Sequence, residues 1–124
     1  MNGLHLIAEL HGCRCEPRLL RSVDALRDVC LAVCSVPGLT PVGQVFYQFG
    51  SDADPAGATG TVILAESHLA VHTWPELKAV TLDLYVCNFS QDNSGAARAA
   101  CDHLIAAFAP SRVERRELER GLPA

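Results

Sequence analysis

The chain has no excess of positive charge. Ten Lys and Arg stand against fourteen Asp and Glu, a formal net charge of −4 over 124 residues. That argues against nucleic acid or an anionic membrane as the main partner, since both are held by basic patches. A long unbroken apolar run is also missing. Residues 29–50 carry no charge, but Pro37, Gly38, Pro41 and Gly43 break the stretch, and Ser35, Thr40, Gln44 and Gln48 dilute it. It reads as a helix end, a turn and a strand, and not as a membrane span. No basic region opens the chain, and its apolar start is interrupted by His5 and Glu9, so a cytoplasmic protein is expected. Repeats, linkers and low-complexity tracts are absent. With 49% apolar and 19% charged residues, the expectation is one globular domain over 1–124.

Standard zinc spacing is lacking too, although there are six cysteines. Cys30, Cys34 and Cys101 fall on apolar helical stripes, the commonest place for a thiol that acts as a small hydrophobe. Cys13 and Cys15 form a C-x-C pair beside His11, but no second ligand pair follows. No metal site is expected. A non-enzymatic metal-binding protein built on His11, Cys13 and Cys15 is the remote alternative.

What is present is strong periodicity. Leu4, Leu6, Ala8 and Leu10 alternate with His5, Ile7, Glu9 and His11, which predicts a half-buried strand. Apolar positions from Leu19 to Cys34 recur every three or four residues, predicting one amphipathic helix over about 18–35, closed by Pro37-Gly38. Strands are predicted at 42–49, 61–66 and 79–87, with a polar loop at 50–60. A second helix follows, capped by Asp92 or Ser94, with Ala97, Cys101, Leu104 and Phe108 on its stripe and Pro110 at its end. Residues 112–118 predict a charged edge strand. The order β-α-β-β-β-α-β implies an α/β two-layer sandwich, helices on one face of a mostly antiparallel sheet. The other face must be solvated or buried by another copy.

Chemistry concentrates in residues 65–75, Ala-Glu-Ser-His-Leu-Ala-Val-His-Thr-Trp-Pro. Ser67 is a nucleophile with imidazoles nearby, and the nearest carbonyl it could attack is that of Glu66 in its own chain. In the strand at 79–87, Thr81, Asp83, Tyr85 and Cys87 lie opposite the apolar Leu82, Leu84 and Val86. Cys87 is thus set apart from the core cysteines. It is either a small residue at a strand end or part of a site. His5, Glu9 and His11 take the same parity, and Ser67 is placed with Thr61, Ile63 and Ala65. If these faces coincide, one side of the sheet carries a site, an interface or an ordinary wet surface. Ser67 and His72 are five apart, so an unbroken strand points them to opposite faces. They meet only if the chain turns or breaks after Ser67.

These residues resemble the bacterial and archaeal pyruvoyl-dependent S-adenosylmethionine decarboxylases. The resemblance rests on Leu64-Ala65-Glu66-Ser67-His68-Leu69, Val71-His72-Thr73-Trp74-Pro75-Glu76 and a following strand ending in Cys87. Leu6-Ile7-Ala8-Glu9 and Arg116-Glu117-Leu118-Glu119-Arg120-Gly121 extend it nearly end to end. It implies self-cleavage between Glu66 and Ser67 into chains 1–66 and 67–124, and a pyruvoyl cofactor made from Ser67, with neither pyridoxal phosphate nor metal. Ser67 then carries the Schiff base to a small cationic amino-acid substrate. By the same resemblance His72 is the proton acceptor in processing, Cys87 the proton donor in catalysis, and Thr59 an aid to processing. Trp74 and Glu76 are candidate substrate contacts. Family members pair as dimers with active sites near the interface, and the activity serves spermidine and other polyamine synthesis. The family's Phe-Thr-Cys-Gly strand end and Ser-Pro-Gln-Gly loop are replaced here, at Tyr85-Val86-Cys87-Asn88 and at 50–58. Relatives with the same processing motif act on ornithine or arginine, which is the alternative substrate class. Phe46, Tyr47, Phe49, Trp74 and Phe89 could form an adenine slot or belong to the core.

Overall fold

The computed structural model describes residues 2–123. Six antiparallel strands form one sheet: β1 (Asn2–His11), β2 (Pro41–Gly50), β3 (Pro55–Leu64), β4 (Ser67–Trp74), β5 (Ala79–Asn88) and β6 (Arg112–Gly121). Their order across the sheet is β2-β3-β4-β5-β1-β6. Helices α1 (Pro17–Arg21), α2 (Val23–Cys34) and α3 (Ser94–Phe108) pack on one face. The two-layer sandwich expected from the sequence is therefore present, with one more strand and one more helix than expected.

Alternation in the sequence decides which face each side chain takes. Leu4, Leu6, Ala8 and Leu10 of β1 are buried, as are Leu69, Val71 and Thr73 of β4 and Val80, Leu82, Leu84 and Val86 of β5. These meet Leu26, Cys30 and Cys34 of α2 and Ala97, Cys101, Leu104 and Phe108 of α3. Each large aliphatic side chain taken fully out of water contributes about 1.5–3 kcal/mol. Among the described residues no helix covers the opposite sheet face, which is open.

Four local expectations are corrected. The single helix over 18–35 is two, because Ser22 is extended (ψ 129°) between them. Gln48 of β2 completes that break: its side-chain oxygen accepts from Val23 N–H at 2.8 Å and its amide donates to Arg21 O at 2.7 Å. The polar loop shrinks, because pairing with β2 extends β3 back to Pro55. Residues 67–74, read as a motif, are a complete strand between β3 and β5. The last helix starts after Asn93, and Asp92 Oδ1 accepts from Ser94 N–H at 3.0 Å; it ends at Phe108, with Ala109 left-handed before Pro110.

The sheet edges differ. β6 is blunted by charge, with Arg115 and Arg116 paired to Asp102 and Glu9. Gly60 is needed in β3, because a Cβ there would lie 2.0 Å from the Phe46 ring.

Candidate active site

The two-residue turn Ala65-Glu66 joins β3 to β4, and Leu64 pairs directly with Ser67. Paired residues share a face, so Ser67 lies on the helix-covered side with Leu64, not with Thr61 and Ile63 as parity through the turn implied. Its φ is +152°, a value that L-residues with a Cβ rarely adopt. Such a conformation costs about 1–3 kcal/mol and persists only where the surroundings impose it.

Four hydrogen bonds hold the turn that precedes it. Ala65 N–H donates to Thr40 O at 2.8 Å. Cys87 N–H donates to Glu66 O at 2.8 Å, so the carbonyl that Ser67 would attack is already polarised by a main-chain donor. The Glu66 carboxylate accepts from Ser90 N–H at 2.6 Å and from Asn93 Nδ2 at 2.7 Å. The Ser90 main-chain donor, and then the Asn93 amide, hold this carboxyl below its ordinary pKa. Glu66, Ser67, Cys87, Ser90 and Asn93 thus gather at one end of the sheet.

His72 is elsewhere. It sits opposite Thr59 on β3 and Thr81 on β5, on the open face. Its ring stacks on Trp74 at 4.2 Å and lies 5.2 Å from Phe49, which in turn meets Tyr47 at 5.1 Å. Thr59 Oγ1 donates to Val71 O at 3.0 Å. Five residues of strand separate His72 from Ser67, about 16 Å at the usual rise. Thr59 and His72 are therefore together, Ser67 and Cys87 are neighbours along the main chain with side chains on opposite faces of the sheet, and one chain does not bring His72 to Ser67.

Beside Thr59 and His72 on the open face is a depression of about 430 Å³, bordered also by His5, Glu9, Thr61 and Asp83. Asp83 Oδ2 lies 3.0 Å from His5 Nε2 and 3.4 Å from His68 Nε2. Tyr85 stands between these imidazoles and under the Arg120 guanidinium at 4.2 Å.

The remaining candidates scatter. Trp74 is on the open face with its indole N–H 3.4 Å from Thr81 Oγ1, and Glu76 is exposed on the 3-10 turn Pro75–Leu77. Tyr47, Phe49 and Trp74 line the open face, Phe46 packs against the core, and Phe89 is exposed. Thr73, inside the motif, is structural: buried, it donates to Leu20 O at 2.7 Å and accepts from Ala58 N–H at 2.9 Å. Burial pushes the Cys13 thiol up to about 11, which disfavours the thiolate a metal would need. No group of three or more His, Cys, Asp or Glu among the described residues is placed to hold a metal ion. Sequence reasoning missed the Cys87 N–H, Ser90 and Asn93. No local pattern reports a main-chain donor or a contact across 24 or more residues; Asn88-Phe89-Ser90 at the strand end was the nearest signal.

The fold is an antiparallel α/β sandwich, with a strained serine after a hairpin whose preceding carbonyl is held by the neighbouring strand. Residues 4–121 match the S-adenosylmethionine decarboxylase family, and the chain belongs to it. The S-adenosylmethionine decarboxylase proenzyme of Picrophilus torridus is 41% identical over 96% of this chain and 84% of the relative. That of Aquifex aeolicus is 38% identical over 97% and 82%. That of Archaeoglobus fulgidus is 35% identical over 96% and 97%. The crystal structure of the adenosylmethionine decarboxylase from Aquifex aeolicus VF5 superposes with a TM-score of 0.82 at 33% identity, covering 98% of this chain and 92% of that one. As a member of this family the protein is a carboxy-lyase.

Proposed function

We propose that this chain cleaves itself between Glu66 and Ser67, turns Ser67 into a pyruvoyl group, and then decarboxylates S-adenosylmethionine for polyamine (spermidine) synthesis. The observation that carries the reading is the Glu66 carbonyl held on Cys87 N–H beside a serine at φ +152°. Ser67 Oγ adds to that carbonyl carbon, the peptide C–N bond breaks, and an ester forms with the amine released. Cys87 N–H steadies the oxygen while it carries negative charge, and relief of the strained φ favours the step. Removal of the Ser67 α-proton then expels the Glu66 carboxylate and leaves a dehydroalanine end. Tautomerisation and hydrolysis release ammonia and leave the pyruvoyl group at residue 67.

The site fits that group. Cys87 stands on the strand beside residue 67, and the cut frees residue 67 from strand parity, so it can turn toward the open face. The bound pyruvoyl group supplies a carbonyl for the substrate's amine and takes up the electrons left by CO₂. Cys87 is the residue this reading assigns to return a proton to the substrate.

His72 is the processing base and Thr59 its neighbour, but both are about 16 Å along the strands from Ser67. A second copy of the chain resolves this. The open face is helix-free and carries exposed Val45, Tyr47, Ile63 and Trp74. Two such faces packed together bury this apolar surface and, once ester formation has released residue 67 from the strand, can bring one copy's Thr59 and His72 to the other's residue 67 and Cys87. The working unit is accordingly a homodimer. Tyr47, Phe49 and Trp74 offer π-faces to a sulfonium and to adenine. Every relative named above is named for S-adenosylmethionine, which favours it over ornithine or arginine. Release of ¹⁴CO₂ from carboxyl-labelled S-adenosylmethionine, ornithine and arginine tests the substrate; release from an amino acid alone would overturn it. The cytoplasm is the compartment this reading implies, and no helix among the described residues is long and apolar enough to cross a membrane.

A further inference from the structure

We propose that Asn93 is a positioning residue for self-cleavage: it holds the Glu66 side chain so that the Glu66 carbonyl stays on Cys87 N–H. The inference rests on the self-processing reading above and adds a residue to it. Asn93 precedes α3 and is only 2% exposed. Its side-chain oxygen is buried with no hydrogen-bond partner among the described residues, a cost that an alanine would not carry. Its Nδ2 donates to Glu66 Oε2 at 2.7 Å and reaches Cys87 O at 3.5 Å. One amide therefore touches both residues whose main chains meet in the Cys87 N–H to Glu66 O contact. A carboxylate only accepts, so the amide nitrogen must face it.

The loop is built to present that amide. Asn88 Oδ1 accepts Asn93 N–H at 2.8 Å, and Asn88 Nδ2 donates to Ser94 Oγ at 3.0 Å. Ser90 N–H takes the other Glu66 oxygen at 2.6 Å. With both carboxylate oxygens held, the Ala65-Glu66 turn cannot swing its carbonyl away, and Ser67 keeps its strained φ. Without the hold, the turn relaxes and the reactive geometry becomes one of several.

The test follows first-order cleavage of freshly made full-length chain by gel and mass spectrometry, with circular dichroism to establish folding. Asn93→Ala and Glu66→Ala should each slow cleavage about tenfold. The double variant should be no slower than the slower single, because both remove one interaction. Independent, multiplying losses would overturn the proposal. So would a folded Asn93→Ala that cleaves at the wild-type rate. If Asn93→Ala does not fold, Glu66→Ala carries the test, since that side chain lies outside the core; wild-type cleavage by it overturns the proposal. Wild-type chain that never cleaves overturns the self-processing reading, and this role with it. Wild-type chain that cleaves beside an equally fast folded variant overturns only Asn93.

Discussion

The two ends of β4 differ in kind. At Ser67 the chain is strained, turned on two residues, and held by main-chain donors and a buried amide. At His72 the strand is regular, paired on both sides, and its side chain lies in an aromatic row on an open face. On the proposed reading, one end carries the nucleophile and the other the base. They belong to one motif of eleven residues yet cannot meet in one copy. On the same proposed reading, a second chain completes the site that this short signature encodes.

The largest effect should come from Ser67→Ala, which removes the nucleophile: no fragments form, as an intact mass would record. His72→Ala should slow maturation by about 100-fold or more while leaving Ser67 able to form the ester. The sharper experiment combines them. When Ser67→Ala and His72→Ala chains are produced together, mixed dimers contain one complete site, and the His72→Ala chains should be cut. If the site were completed within one chain, neither would be. Cys87→Ala keeps its main-chain N–H, so it should cleave but lose about 100-fold in turnover per pyruvoyl group. Unimpaired CO₂ release would remove Cys87 from the donor role.

Smaller effects separate scaffold from chemistry. Thr73→Val leaves Leu20 O and Ala58 N–H without their partner in the core and should cost about 1–3 kcal/mol in denaturant unfolding. Glu66 is a depressed carboxylate. Its contribution to stability is complete above the ordinary carboxylate pKa of about 4.3, and is lost as pH falls through its lower folded value. The stability difference between wild type and Glu66→Gln should therefore shrink on acidification; a pH-independent difference would contradict the hydrogen-bond cause.

Much of this was legible in the chain. Leu4 to Leu10 and Leu82 to Val86 alternate cleanly, and α3 repeats every three or four residues, because one face of each is buried. β4 was not legible as a strand. Its buried Leu69, Val71 and Thr73 alternate with His68, Ala70 and His72, but the chemistry of those residues drew the reading toward a motif ended by Pro75. Missing β4 reversed the face assigned to Ser67, since the turn at Ala65-Glu66 resets parity. The family resemblance supplied candidate roles, and the geometry then split them between two places. The Gln48 cap of α2 and the Asn93 hold on Glu66 span 25 and 27 residues, and such contacts exist only once the sheet has assembled.

The account turns on the Glu66–Ser67 bond. The intact mass of purified, folded wild-type protein tests it most directly. The expected result is two chains, residues 1–66 and a 67–124 piece about 17 Da lighter than an N-terminal serine form, because the serine oxygen leaves with the Glu66 carboxylate, water supplies the ketone oxygen and ammonia is released. A single uncut chain of 124 residues with its fold intact would contradict it.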